Sequence, residues 1–340
     1  MAFSNFSKLV SGDIAIDLGT ANTLIWIKGQ GIVLDEPSIV ARNKVNGEII
    51  AVGLEAKEMV GRTHSGIETI RPLKDGVVAD YKMTDSMIQG FIRKIKLSRI
   101  ARPRIVICIP SGVTDVEQRS VRESAEHANA SEVYLIEEPM AAAVGIGIDV
   151  SKPVGNMIVD IGGGTTEIAV ISLNGIGTLE TVRNAGDEQT NAIVEWFKNQ
   201  HKLHIGERTA EMIKCTVGSA VRSQGEKIAV KGQDQITGIP KTIEISSDEI
   251  RQALAEAVFQ ITSAVKRALD KTPPEHASDI IDFGIILTGG GALLKDIDVH
   301  IRNKTGLPVH IAEEPLLDVV KGTGMILEDL KKYKSVLIQP

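Results

Sequence analysis

Two short stretches constrain this chain more than any others. Ile14-Ala15-Ile16-Asp17-Leu18-Gly19-Thr20-Ala21-Asn22-Thr23-Leu24-Ile25-Trp26-Ile27 reads as an apolar strand ending near an Asp, a small glycine turn and a second apolar strand. Met157-Ile158-Val159-Asp160-Ile161-Gly162-Gly163-Gly164-Thr165-Thr166-Glu167-Ile168-Ala169-Val170-Ile171 repeats that grammar. Glycine lets backbone approach a ligand closely. Successive N–H groups in such a turn form a concave anion site, and threonine hydroxyls add donors. A carboxylate repels phosphate, so Asp17 and Asp160 make sense if a divalent cation lies between the two. One such match alone is an ordinary tight hairpin with a solvated Asp. Two copies imply a duplicated unit, and two hairpins facing each other would grip one polyphosphate from both sides.

The 340 residues, 43% hydrophobic and 24% charged, suit a globular chain of roughly two domains with a sizeable core. A net charge of −6 argues against general nucleic-acid binding. No apolar run approaches the ~20 residues that cross a bilayer, and no secretory signal peptide is expected. Two cysteines, Cys108 and Cys215, fit reduced thiols in a cytoplasm. Phe3, Phe6, Leu9 and Val10 share one face if residues 1–12 are helical, as in a short membrane-surface helix; a frayed tail would read the same way. Arg93, Lys94, Lys96, Arg99, Arg102 and Arg104 form a basic run without an acid from Ser86 to Thr114. Leu97 and Ile100 punctuate it, which fits an anionic lipid surface better than a plain solvated face when paired with the N-terminal stripe.

Residues 31–71 read as short strands broken by Pro37, Asn46-Gly47 and Gly53, a small inserted subdomain. A helix is expected from Thr84, with Met87, Ile88, Phe91, Ile92 and Ile95 inward, and a buried strand over Ile105–Ile109. Thr114 to Glu117 is a capping box. The strand Val133–Ile136 ends at Glu137-Glu138-Pro139, a carboxylate pair where open α/β sheets place ligands, or a solvated pair capping the next helix. His201 and His204 lack a third metal ligand at suitable spacing and read as surface histidines. Glu211 and Lys214 share a helix face, as a surface ion pair would. Lys227–Val230 and Thr242–Ile245 read as a hairpin of a second small subdomain, followed by a helix from the capping box Ser246–Glu249. Thr288-Gly289-Gly290-Gly291-Ala292 follows a strand and is expected to start a helix at a nucleotide-facing turn.

Together these pieces resemble the superfamily of actin, the heat-shock chaperone ATPases and the sugar kinases, and within it most closely the MreB family of bacterial actin homologues that govern rod shape. The likeness spans residues 12–330. It rests on the two hairpins, Arg71-Pro72-Leu73-Lys74-Asp75-Gly76-Val77, Ile136-Glu137-Glu138-Pro139-Met140-Ala141-Ala142-Ala143, Ile205-Gly206-Glu207-Arg208-Thr209-Ala210-Glu211 and Leu287-Thr288-Gly289-Gly290-Gly291-Ala292-Leu293-Leu294.

The resemblance implies an α/β, actin-like ATPase fold of two duplicated domains with the nucleotide in the cleft between them. Its segments would be an amphipathic stretch 1–10; subdomain IA from 11–32, 72–148 and 318–340; IB, 33–71; IIA from 149–183 and 242–317; and IIB, 184–241. Thr20, Ala21 and Asn22 would cradle the phosphates of ATP from one side, and Gly162, Gly163, Gly164 and Thr165 from the other. Asp17 and Asp160 would hold Mg²⁺ through water. Glu211 and Lys214 would meet ribose and adenine, and Gly289, Gly290, Gly291 and Ala292 the adenosine. Glu138 would position or deprotonate the attacking water, with Glu137 the alternative. The chain would be a slow ATPase forming filaments, as paired protofilaments, on the inner face of the cell membrane. Phe3, Phe6, Leu9, Leu97 and Ile100 would face lipid, and cell-wall elongation proteins such as MreC and RodZ would be partners. Gln189-Thr190 stands where the family leads one to expect Met-Asp, a change expected to alter a helix start and not the chemistry. A small-molecule kinase on the same fold would need a larger acceptor subdomain, and a chaperone-type switch a peptide-binding module after residue 340.

Overall fold

A computed structural model describes residues 12–95, 102–222 and 225–338. The chain divides into two compact units, one running to Pro153 with Ile171–Ile176 and the residues from Leu316, the other Val154–Val170 with Gly177–Pro315.

In the first unit β1 (Ile14–Leu18), β2 (Asn22–Ile27) and β3 (Gly31–Pro37) form an antiparallel meander. A small sheet follows from β4 (Val40–Asn43), β5 (Ile49–Val52) and β6 (Ile67–Ile70), with helix α1 (Leu54–Met59) between its last two strands. Gly47, at φ 72°, turns the chain between β4 and β5 where the Asn-Gly pair marks a hairpin. β7 (Leu73–Lys74) and β8 (Val77–Val78) make a short ladder. Helix α2 (Tyr81–Lys94) starts earlier than expected, because the Asp80 carboxylate accepts from Met83 N–H and caps it. It buries Met83, Met87, Ile88 and Phe91. β9 (Arg104–Ile109), α3 (Asp115–His127), β10 (Glu132–Glu137) and α4 (Glu138–Ile146) complete the series, with α3 opened by the expected capping box. Both β9 and β10 run parallel to β1, and Ile105–Ile109 is buried throughout, as covered parallel strands require.

The second unit repeats the plan. β11 (Asn156–Ile161), β12 (Thr166–Ser172) and β13 (Gly175–Val182) are followed by α5 (Gly186–His201), β14 (Leu203–His204) and α6 (Glu207–Val217). β15 (Lys227–Asp234) and β16 (Pro240–Ser246) form the expected hairpin, longer at its turn end, and join β14 in a second small sheet. Helix α7 (Ser247–Lys271) buries Ile250, Leu254, Val258, Ile261 and Val265, each stabilising the core by ~1.5–3 kcal/mol. α8 (Pro274–Phe283), β17 (Ile285–Thr288), α9 (Ile297–Thr305) and β18 (Val309–Ile311) finish it.

The two large sheets run β3-β2-β1-β9-β10 and β13-β12-β11-β17-β18, the same order of equivalent strands. Asp17 pairs with Cys108 of β9 as Asp160 pairs with Thr288 of β17. Each Asp therefore sits near the C-terminal end of its sheet's central strand. The duplication read from two turns is a duplication of whole sheets.

Candidate functional site

In the first unit, the turn after Asp17 is braced by Ser38, a residue the sequence reading did not single out. Its N–H donates to Ala21 O (3.0 Å) and its hydroxyl to Gly19 O (2.6 Å), with Thr23 Oγ1 2.9 Å away. Ser38 and Thr23 are fully buried, Thr20 is nearly so, and Asn22 is exposed at the start of β2. A Cβ on Gly19 would fall 2.7 Å from the Asn22 carbonyl oxygen, so this turn closes only on glycine.

Glu137 and Glu138 lie at the same sheet edge. The register aligns Asp17, Cys108 and Ile136 in one row across three strands, so the pair stands one and two positions beyond it. Alternation along β10 sends Glu137 to the face opposite Asp17. Burial pushes the Glu137 carboxyl above the usual carboxylate range, against a hydrogen bond with Ser111. Glu138 opens α4, whose placement is fixed by glycine contacts with the helix Asp318–Glu328. A Cβ on Gly145 would overlap Asp318 O, and one on Gly322 would overlap Ala141 O. The two backbones touch, which holds the first turn of α4 in place.

In the second unit the turn after Asp160 is held by backbone. Gly162 N–H donates to Thr165 O (2.9 Å), closing the turn, while the carbonyls of Gly162 and Gly163 accept from Gly186 and Asp187 N–H at the start of α5 (3.1 and 2.8 Å). Thr166 Oγ1 donates to Asn184 O (2.7 Å). Asp160, Gly164 and Thr165 are buried, and Gly162 and Gly163 partly exposed.

The Gly289–Ala292 turn lies directly against this hairpin. Gly289, at φ 80°, would place a Cβ 2.3 Å from Asp160 Oδ1 and 2.5 Å from Ile161 O, and Gly291 would place one 2.3 Å from Ile161 Cγ2. Asp160 is thus cradled by a surface that a Cβ would fill. Gly290, Gly291 and Ala292 belong to a single 3-10 turn, Gly290–Leu293, and not to the start of an α-helix as expected. Three consecutive glycines favour a tight turn over a propagating helix, so no long helix dipole serves a ligand at this point.

Glu211 and Lys214 are brought to the same hairpin. Lys214 Nζ lies 2.7 Å from Glu211 Oε2 and donates to Gly186 O (2.8 Å), the residue bonded to Gly162. Burial pushes Glu211 up, but the Lys214 charge and hydrogen bonds from Lys214, Thr190 and Cys215 outweigh it and hold the carboxyl below its usual range. The pair is more than a surface ion pair, because the Lys214 side chain is only 12% exposed.

Phe3, Phe6, Leu9, Leu97 and Ile100 lie outside the described residues. The residues flanking them are paired: Arg104 N–H donates to Asp13 Oδ1 (2.9 Å), and its guanidinium is bidentate on Oδ2 of this buried carboxylate. Ile14 lies opposite Ile105 in neighbouring parallel strands, so Asp13 and Arg104 meet at one end of the sheet. The free basic charge there is smaller than the sequence suggests, since Lys94 pairs with Glu36 (2.6 Å) and Arg104 with Asp13.

A duplicated α/β sheet with an aspartate at the end of each central strand and a glycine turn after it is the actin-like plan. The model of the MreB/Mbl protein family matches residues 11–335. The chain belongs to the MreB/Mbl family. Its relatives include the cell shape-determining protein Mbl of Bacillus subtilis (strain 168), 48% identical over 94% of this chain and 97% of that one. The cell shape-determining protein MreB of Escherichia coli (strain K12) is 49% identical over 95% of both chains. Among solved structures, MreB 5 of Spiroplasma citri bound to AMPPNP superposes with a TM-score of 0.90 at 38% identity, covering 94% of this chain and 96% of that one. The same Spiroplasma protein bound to ADP also gives 0.90, at 37% identity over 95% and 97%. Membership of the MreB/Mbl family and the actin-like fold support a cytoskeletal role.

Proposed function

We propose that the chain binds and slowly hydrolyses ATP, and that its nucleotide state governs assembly into filaments on the inner face of the cell membrane, where they organise cell-wall synthesis and maintain rod shape. The observation that carries this reading is the second unit's cluster, in which the Gly289–Ala292 turn packs against Asp160 and Ile161, the residues that lead into the Gly162–Thr165 turn. The nucleotide complexes of the Spiroplasma relative support it. Phosphate oxygens accept from the turns at Thr20, Ala21 and Asn22 and at Gly162, Gly163, Gly164 and Thr165. Gly289–Ala292 takes the adenosine, and Glu211 the ribose. Asp17 and Asp160 suit Mg²⁺ held through water, since hard cations prefer oxygen ligands; bound with the nucleotide, Mg²⁺ would neutralise charge on the phosphates. Glu138 orients the attacking water and accepts its proton as the bond to the γ-phosphorus forms and the ADP oxygen leaves.

Filaments require the chain itself as partner. The anionic lipid surface is a second partner, through residues 1–10 and the run holding Leu97 and Ile100. Proteins resembling MreC and RodZ are the expected links to wall synthesis. The test is a pelleting assay with ATP and Mg²⁺, with and without anionic liposomes, read beside phosphate release. Polymer that pellets and co-floats with lipid, with slow release, is expected. Glu138→Ala is expected to bind ATP normally and release phosphate at least ~100-fold more slowly. A monomer that stays in the supernatant under every condition would overturn the filament, and unchanged release by the variant would remove Glu138 from its role.

A further inference from the structure

The departure at Gln189-Thr190 reaches the site. Thr190 lies in the second turn of α5, and its hydroxyl stands 2.5 Å from Glu211 Oε2 and 3.0 Å from Gly186 O. A hydroxyl has one proton to give, and a carboxylate is the stronger acceptor. Lys214 Nζ lies within hydrogen-bonding distance of three oxygens: Gly186 O (2.8 Å), Thr190 Oγ1 (3.0 Å) and Glu211 Oε2 (2.7 Å). An ammonium has three protons, so these partners use its whole capacity. Lys214 is therefore a brace and has no proton left for a base or sugar.

Glu211 is different. Its Oε2 is held twice, by Thr190 and Lys214, while Oε1 meets the weak donor Cys215 Sγ at 3.5 Å. The side chain is half exposed, so Oε1 keeps acceptor capacity toward solvent. An Asp at position 190 would set a second carboxylate against Glu211 and compete for Lys214. Thr supplies a neutral donor in its place.

We propose that Thr190 is a positioning residue for the nucleotide sugar: with Lys214 it locks Glu211 so that Oε1 accepts one ribose hydroxyl, which makes the site prefer ribonucleotides to deoxyribonucleotides. This rests on the reading of Glu211 as the ribose contact. A site built to bond a hydroxyl rejects the analogue that lacks it, because the bound sugar shields the Glu211 Oε1 acceptor from water and leaves it unpaired.

The test is titration calorimetry on the full chain with Mg²⁺, using ADP, 2′-deoxy-ADP and 3′-deoxy-ADP as unlabelled probes, for the parent chain, Thr190→Val, Thr190→Ala and Thr190→Ser. The parent is expected to bind ADP at least ~tenfold more tightly than one of the two deoxy analogues. Val and Ala should each weaken ADP about tenfold and leave that analogue nearly unchanged, so the preference collapses, and Ser should restore it. Either Val or Ala carries the test if the other does not fold. A folded variant that keeps the full preference, or that weakens all three probes equally, overturns the inference and leaves ATP binding standing. A parent chain that binds none of the three overturns both.

Discussion

The turn after Asp17 is braced chiefly by a side-chain hydroxyl, and the turn after Asp160 chiefly by backbone and by the absence of side chains. In the first unit the hydroxyl of Ser38, from beyond β3, reaches Gly19 O and Thr23. Its essential glycine is excluded from alternatives by the turn itself, through the Asn22 carbonyl. In the second unit, Gly162 meets its own turn at an easier 3.3 Å, and the tight approach comes from another segment, at Gly289 and Gly291. The start of α5 supplies two amides in place of a hydroxyl. Equivalent strands thus present similar turns on different supports. Sheet order and the Asp are repeated between the units; the brace is particular to each.

The largest expected effect follows from the backbone-held turn. Gly289→Ala combines a left-handed φ of 80° with a Cβ 2.3 Å from Asp160 Oδ1 and 2.5 Å from Ile161 O. Conformational strain and overpacking together should cost upward of ~3 kcal/mol. Gly306→Ala is the control, because φ is 76° there and no atom lies within 4 Å, leaving only ~1–2 kcal/mol of strain. Urea unfolding midpoints of the two variants isolate the contact. Equal midpoints would mean that Gly289 tolerates a side chain, and the contrast between the hairpins would fail.

The strands, the two Asp positions and the capping boxes at Thr114 and Ser246 were legible in sequence, because each is specified within a few residues. Asp17 and Asp160 announced themselves by recurrence. What stayed hidden depends on chain brought from far away. Ser38 carries no mark beyond following Pro37, and its role comes from the meander that returns it to Gly19. Asp80 caps α2 through its own side chain, yet several polar residues there could start a helix and periodicity does not choose among them. The Gly289–Ala292 stretch shows glycine richness, whereas its 3-10 form and its pressure on Asp160 arise only when β17 pairs with β11. Thr190 looked like a neutral substitution in a helix start because Glu211 and Lys214 approach it from another helix.

The side-chain-held turn should fail more gently. Ser38→Ala removes the donor to Gly19 O and strips a neighbour from the buried Thr23 hydroxyl, while the Ser38 N–H bond to Ala21 O survives. The expected loss is about 1–3 kcal/mol, with weaker ADP binding and the fold retained. Ser38→Thr adds a methyl at a fully buried site and should not restore stability completely. A loss as large as that of Gly289→Ala would show that both turns are equally dependent on a single contact, which erases the distinction drawn between them.

The smallest effect has the opposite sign. Gln189, one residue before Thr190 on the helix that holds the second turn, is 1% exposed, and neither atom of its amide has a hydrogen-bond partner among the described residues. A buried amide left unpaired costs about 1–3 kcal/mol, and an apolar side chain of the same length removes that penalty. Gln189→Met should therefore raise the unfolding midpoint, by about 1 kcal/mol after allowance for imperfect packing. Nucleotide affinity should stay at the parent value, because the Thr190–Glu211–Lys214 cluster is untouched. A stabilised chain with unchanged ADP binding would separate the two halves of the departure, with Gln189 bearing on stability and Thr190 on the sugar. If the variant instead loses affinity, the amide takes part in the site, and the second turn depends on a further side chain.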